Sequence, residues 1–274
     1  MQVFRLQDLP IELERDIFEI AARMDLQTAL NLSLVCRQLK DWTQPLVYEM
    51  VTLGTGDIEL FLRTMEMFPP DFFARCVKRL CLTVSIVPLH ARTILQACTG
   101  ITSLACWVDF IDSEPNTLSP FGQLFYPLRL RHLSIETAHF RRLELHECTW
   151  IHTLTRLDLI FWRRDSLLIS ELHLLPALTH LALFIQHKDV ENGLTYILSV
   201  VPALQVLCLV VDDVDLEYYE HNVNQIDLRV VYMTRPGSVR DWEAAYRGLP
   251  DMWSRAEDIV AERRAISLQV IELQ

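Results

Sequence analysis

Glycine is scarce in this chain, with seven in 274 residues. None of them builds a phosphate-cradling loop. Gly54-Thr55-Gly56 stands alone with no lysine after it, which removes the usual phosphate-binding motifs. The cysteines number seven, an odd count without any C-x-x-C spacing, so neither a disulfide framework nor a zinc or redox motif is written here. Basic residues are outnumbered, 25 Lys and Arg against 36 Asp and Glu, for a formal net charge of −11. A nucleic-acid binder needs a basic face. The doublets Arg141-Arg142, Arg163-Arg164 and Arg263-Arg264 are scattered and offset by acids, so no nucleic-acid partner is expected. No uncharged run of about 18 apolar residues occurs, and no membrane span is expected. The first twenty residues carry Arg5, Asp8, Glu12, Glu14, Arg15 and Asp16, which leaves no apolar leader segment. With unpatterned cysteines, this points to a reducing compartment, the cytosol or the nucleus.

Reactive constellations are equally sparse. The nine histidines are dispersed, and His146 and His152 near Cys148 lack metal-ligand spacing. Asp212-Asp213-x-Asp215 reads as a turn at a strand exit, where aspartate is a common former. No serine or cysteine has a recognisable base partner. The expectation is a protein with no catalytic residue, no metal and no cofactor, and not an enzyme.

What the chain does have is a recurring phrase. It reads Val77-x-x-Leu80-x-Leu82, Ile101-x-x-Leu104-x-Cys106, Leu130-x-x-Leu133-x-Ile135, Leu154-x-x-Leu157-x-Leu159, Leu178-x-x-Leu181-x-Leu183 and Leu204-x-x-Leu207-x-Leu209. The steps between successive middle aliphatics are 24, 29, 24, 24 and 26 residues. A degenerate seventh copy is visible at Ile226 to Val231. Alternation of this kind gives a short strand with one apolar face. One such strand cannot bury that face alone, whereas stacked neighbours share a continuous core. A period in the twenties with L-x-x-L-x-L is the signature of a leucine-rich repeat. Cys81, Cys106 and Cys208 fall inside these strands as small apolar fillers. The family's turn-bonding Asn or Cys is missing, since its positions hold Ser85, Asp109, Ala138, Trp162, Gln186 and Asp212. An irregular horseshoe is therefore expected.

The segments between strands return along the convex side. His90 to Cys98, Ser166 to Leu175 and Val190 to Val200 read as helical, and Ser113-Glu114-Pro115-Asn116 with Pro120 reads as a loop insertion. Residues 54–75 form a connector whose helix, Asp57 to Phe68, covers the open end of the repeats. Beyond Tyr232 the repeat stops. Val239 to Arg247 and Met252 to Arg264 read as helices capping the other end, and Ile266-x-Leu268-x-Val270 alternates like a strand.

The first 53 residues lie outside the repeat. Pro10 suits the first turn of a helix, and Glu12 and Glu14 complement its dipole. Asp25 can cap a second helix. A third starts near Val35-Cys36-Arg37 and is interrupted or ended by Pro45. Three short helices make a small core that needs support from a partner. The stretch Leu9-Pro10-x-Glu12, Ile17-Phe18, Leu34-Val35-Cys36-Arg37 and Trp42 resembles an F-box, and with the repeats behind it the chain resembles the divergent, fungal-like F-box/leucine-rich-repeat proteins. That resemblance implies an N-terminal three-helix F-box (1–53), a connecting helix (54–75), leucine-rich repeats (76–234) and a helical C-terminal cap (235–274), an α/β solenoid overall. It implies a substrate-recognition subunit of an SCF-type cullin–RING ubiquitin ligase, docking a Skp-type adaptor and, through it, a cullin. The adaptor-facing residues carried over are Leu9, Pro10, Ile11, Glu12, Ile17, Leu34 and Val35. Ile17 and Phe18 fit core packing equally well. An F-box protein serving outside ubiquitination, and a plain repeat scaffold, remain open alternatives.

The concave face is the expected binding surface for a protein substrate. Alternation places Arg79, Ser103, His132, Arg156, His180 and Val206 in one lateral row, mildly basic in an acidic protein, with Trp107 and Phe184 as aromatic anchors in another. An acidic or phosphorylated segment lying across Arg79, His132, Arg156 and His180 is one reading, and a solvated sheet face is the other.

Overall fold

The computed structural model describes residues 9–110, 121–162, 166–185, 191–222 and 227–272. It starts with three helices, α1 (Ile11–Met24), α2 (Leu26–Ser33) and α3 (Arg37–Val47). Pro10 immediately precedes α1, and Glu12 and Glu14 sit in its first turn. Asp25 caps α2 by accepting from the Thr28 amide at 2.8 Å. The Thr28 hydroxyl and amide hold the Asp25 carboxyl below its usual range. Pro45 lies inside the last turn of α3 rather than stopping the helix earlier.

The rest of the described chain alternates strands with helices. In order it runs β1 (Met50–Leu53), α4 (Ile58–Met67), α5 (Phe72–Cys76), β2 (Arg79–Leu82), α6 (Pro88–Ala97), β3 (Ser103–Cys106), β4 (His132–Glu136) and α7 (Thr137–Phe140). It continues through β5 (Arg156–Ile160), β6 (His180–Phe184), α8 (Glu191–Val200), β7 (Val206–Val211), α9 (Asp213–Asn222), β8 (Val230–Thr234), α10 (Ser238–Tyr246) and α11 (Met252–Glu272). All eight strands form one parallel sheet in sequence order. The register aligns the repeated phrases position by position, with Leu80, Leu104, Leu133, Leu157, Leu181 and Leu207 side by side.

This architecture corrects the expected leucine-rich-repeat solenoid with a cap on its C-terminal end. The chain is an α/β protein built on a single eight-stranded parallel sheet with interleaved helices and helical segments on both faces. One face carries the large core of Leu80, Leu82, Leu104, Leu133, Leu157 and their neighbours, packed under α4, α6 and α8. The opposite face is buried too. Ile160, Ala182, Phe184, Cys208, Val210 and Val231 pack against Met252, Trp253, Ala256 and Val260 of α11. Cys81 and Ala105 pack against Trp242 of α10. β6 and β7 are therefore buried at every position, as is usual for a parallel strand covered on both sides. The alternation that reads as one open face fails here because Ala182, Cys208 and Val210 are apolar on the second face as well.

Other expectations are revised locally. The sheet begins at β1, which falls within the segment assigned to the N-terminal helices. Of the degenerate copy at Ile226 to Val231, Ile226 lies outside the described residues, and the strand starts only at Val230. Ser166 to Leu175 contains a 3₁₀ turn, Ser170–Leu174, instead of a regular helix. Ile266 and Leu268 belong to α11 and form no strand. The insertion at residues 113–116 and Pro120 lies outside the described residues, as do Arg163, Arg164 and Gln186.

A different ladder replaces the missing asparagines. The carbonyl of Lys78 accepts from the amides of Thr102 and Ser103 and from the Thr102 hydroxyl. The Arg131 carbonyl does the same for Thr155 and Arg156, and the Thr155 carbonyl for Thr179 and His180. A threonine one residue before a strand thus ties that strand's entry to its neighbour.

Close packing at the first turn of this stack makes a sharp prediction. A Cβ on Gly100 would lie 1.9 Å from the carbonyl oxygen of Ala74. That backbone cannot swing aside like a side-chain tip. Gly100→Ala is expected to cost about 1–3 kcal/mol through this overpacking, read as a lower urea midpoint. An unchanged midpoint would show that α5 yields freely there.

Candidate functional site

Two surfaces stand out. The first lies on the N-terminal helices. Residues spaced three and four apart share a helix face. On α1 that spacing lines up Leu13, Ile17, Ile20 and Met24, which are 50, 45, 64 and 75 % exposed. Phe18 and Ala22, on another side of the helix, are half-buried and buried. The link from α2 to α3 exposes Leu34 and Val35 at 84 and 67 %. Of the residues singled out by resemblance, Leu9 is half-buried and Pro10, Ile11, Glu12, Ile17, Leu34 and Val35 are exposed. The adaptor-facing set carried over by resemblance includes Ile17 and leaves out Leu13, Ile20 and Met24. Their 4-3-4 spacing was the available signal. The helices are anchored to the sheet where Arg23 donates to Glu49 at 3.3 Å and Tyr246 of α10 donates to the same carboxylate at 3.2 Å. Burial pushes the Tyr246 phenol up to about 12, so it stays a donor at neutral pH.

The second surface is at the strand entries. Register sets Arg79, Ser103, His132, Arg156 and His180 on neighbouring strands. They line an open cavity of about 280 Å³ together with Arg131, which sequence reasoning missed. Glu257 reaches in from α11. Its Oε1 lies 3.1 Å from a guanidinium nitrogen of Arg156 and 2.9 Å from Nε2 of His180. Nothing in the sequence pairs residue 257 with this row, which lies far from it along the chain. Arg79 stacks over the Tyr246 ring, 5.5 Å from its centroid. Burial lowers the pKa of the Arg79 guanidinium. Burial, aided by the Arg156 charge, lowers the pKa of His180 against the opposing pull of Glu257.

The remaining predicted residues turn inward. His132 bonds Asp158 Oδ2 at 3.1 Å and packs on Trp242, with ring centroids 4.6 Å apart. Trp107 donates to the Ser134 hydroxyl at 3.1 Å. Phe184 is buried with Met252 and Trp253. Trp107, His132 and Phe184 border a small cavity of about 40 Å³ beneath α10 and α11. Asp158 Oδ1 and Trp242 Nε1 are buried there without a protein hydrogen-bond partner. The face read as an open concave platform is thus largely occupied by the chain's own C-terminal helices, with the entry row left accessible at its edge.

Covalent chemistry finds few groups to carry it. Burial pushes the thiols of Cys81, Cys98, Cys106 and Cys148 up to about 12, which keeps them protonated at neutral pH. Among the described residues no group of three or more His, Cys, Asp or Glu side chains is placed to hold a metal. Among them, too, no helix is long and apolar enough to cross a membrane.

No protein-family model matches this chain, and no curated protein sequence is significantly similar to it.

Proposed function

We propose that this protein is a substrate-recognition subunit of an SCF-type cullin–RING ubiquitin ligase, working in the cytosol or nucleus. Its N-terminal helices dock a Skp-type adaptor in the manner of an F-box, and through it a cullin. The sheet domain carries the protein to be modified. The subunit performs no chemistry itself. It raises the effective concentration of its cargo near a ubiquitin-charged partner.

The observation that carries this reading is the exposed aliphatic stripe of α1 with Leu34 and Val35 beside Cys36-Arg37. A helix that turns Leu13, Ile17, Ile20 and Met24 to solvent exposes more contiguous apolar surface than its own small core requires. Such a surface marks a protein interface, and central apolar anchors carry most of the energy of a helical one. The F-box-like residues Leu9, Pro10 and Glu12 border the start of the same helix.

The test is capture of a purified Skp-type adaptor by the full chain, by a Leu9→Ala/Pro10→Ala variant and by an Ile17→Asp/Ile20→Asp variant. These positions are half-buried or exposed, so folding should survive. Each double substitution is expected to weaken capture at least tenfold, as loss of anchors worth about 2 kcal/mol requires. Undiminished capture by Ile17→Asp/Ile20→Asp would move the interface elsewhere. A folded wild type that captures no adaptor would end the ubiquitin reading.

A further inference from the structure

The strand-entry cavity has a composition that adaptor docking does not use. Its lining holds three guanidinium groups, Arg79, Arg131 and Arg156, beside the imidazoles of His132, which is paired with Asp158, and His180. In a chain of net charge −11 this is a concentrated positive surface. It already holds one anionic group. The Glu257 carboxylate sits between Arg156 and His180, at 3.1 and 2.9 Å, while remaining 43 % exposed and free to swing out. Asp158 is buried behind His132 and faces the small cavity under α10, and Glu49 and Asp251 act on Arg79 through space without pairing with it. Arg131 is exposed and makes no ion pair with any described residue. Arg79 has an aromatic ring as its partner.

The Glu257 carboxylate therefore makes contact ion pairs at only one end of the row. Arg79 and Arg156 stand on strands three places apart, roughly 14 Å between Cα atoms at the usual strand spacing. Side chains of their length converge across that gap on an anion with two centres better than on one with a single centre. Guanidinium groups match phosphate oxygens in paired, directional bonds. The volume of about 280 Å³ admits such a group but not a folded chain, and the open mouth leaves room for an esterified tail.

We propose that the cavity lined by Arg79, Arg131, Arg156 and His180 binds a diphosphate group, free or as the head of a small organic ester, and that Glu257 is its built-in competitor. The bound diphosphate displaces the Glu257 carboxylate from Arg156 and His180 and links Arg131 and Arg156 to Arg79. This does not rest on adaptor docking and is measured without the adaptor.

The experiment is calorimetric titration of the full chain at physiological salt with inorganic pyrophosphate, with ADP and with inorganic phosphate. Glu257→Gln is expected to tighten pyrophosphate binding about tenfold by removing the competing charge, and Arg131→Glu or Arg156→Glu to weaken it at least tenfold, in line with charge-assisted pairs. Inorganic phosphate is expected to bind more weakly than pyrophosphate. ADP binding as tightly as pyrophosphate assigns an ester, and ADP failing where pyrophosphate binds assigns the free anion. No heat from either wild type or Glu257→Gln at millimolar pyrophosphate would overturn the proposal. So would equal affinity for phosphate and pyrophosphate, or affinity unchanged in Arg131→Glu, an exposed substitution that leaves the fold alone.

Discussion

Trp150→Ala is expected to remove most of the stability of the sheet domain. Trp150 is completely buried and heads the set of largest fully buried side chains. Its indole Nε1 donates to the carbonyl of Phe125 at 2.9 Å, tying the turn before β5 to the one before β4. Truncation leaves a cavity among leucines and phenylalanines that cannot close, because each neighbouring strand is fixed by its own ladder. Removing a buried tryptophan this way costs about 3–5 kcal/mol. The stranded Phe125 carbonyl adds to that, at about 1–3 kcal/mol for a buried acceptor left unpaired. Trp150→Phe keeps much of the volume and loses only the donor, so it should cost roughly 1–3 kcal/mol. Urea unfolding of the three proteins separates the two contributions. A Trp150→Ala midpoint close to that of wild type would show that the turns before β4 and β5 repack without the indole.

The same residue shows what was legible beforehand. The strands were legible because their phrase repeats. Leu80, Leu104, Leu133, Leu157, Leu181 and Leu207 carry the period, and all are completely buried side by side. Periodicity is a local signal, and it locates elements that bury one face. It did not reveal β1, whose Met50-Val51-Thr52-Leu53 has no copy of the phrase before it. Nor did it reveal Trp150, whose partner carbonyl lies 25 residues back in an irregular turn. Alternation on the first face carries no information about whether the second meets water. Whether Ala182 and Cys208 meet water depends on where α11 lies, and nothing in β6 or β7 specifies that. Ile266-x-Leu268-x-Val270 alternates like a strand, yet it falls at the end of α11, whose buried apolar residues run through Met252, Trp253, Ala256 and Val260.

The candidate sites divide along the same line. The basic row followed from register alone, since residues at equal positions of equal repeats must sit on adjacent strands. Arg131 belongs to that edge and was missed because it lies one residue ahead of its strand. Glu257 could not be found, because its meeting with Arg156 spans 101 residues and depends on how α10 turns into α11. That turn has its own local code. Gly248 takes φ of +66°, and the Leu249 amide bonds the Ala244 carbonyl at 3.0 Å, the arrangement that commonly terminates a helix at glycine. Asp251 and Ser254 then cap α11 reciprocally, with the Ser254 amide on Oδ1 at 2.7 Å and the Asp251 amide on the serine hydroxyl at 2.9 Å. Asp241 closes the corner by accepting from the Met252 amide at 3.0 Å and from Arg255 at 2.9 Å. The reversal aims α11 back across β5 to β8.

How firmly that helix is held decides whether the second face ever opens, and the cysteines report on it. Trp253 is 3 % exposed and sits at the centre of the α11 contact, among Phe184, Cys208 and Val210. Trp253→Ala is expected to weaken that contact by about 3–5 kcal/mol, as for other buried tryptophans, whereas the core on the opposite face loses nothing directly. Cys208 lies under α11, while Cys98, Cys106 and Cys148 lie in the opposite core. Burial raises the pKa of the Cys208 thiol, so in wild type it is both covered and protonated. With α11 loosened, alkylation of Cys208 should accelerate by about tenfold or more, since the rate follows thiolate exposure, while the other three thiols stay protected. Peptide mapping after a timed iodoacetamide pulse distinguishes the outcomes. Selective labelling of Cys208 shows that α11 is a separable cover on a sheet that stands without it. Labelling of all four thiols together shows that the helix and both faces of the sheet unfold as one unit, and then the second face is structural and never a surface. Unchanged Cys208 labelling would mean that Met252, Ala256 and Val260 hold the helix without the tryptophan, and that the indole contributes far less than its burial requires.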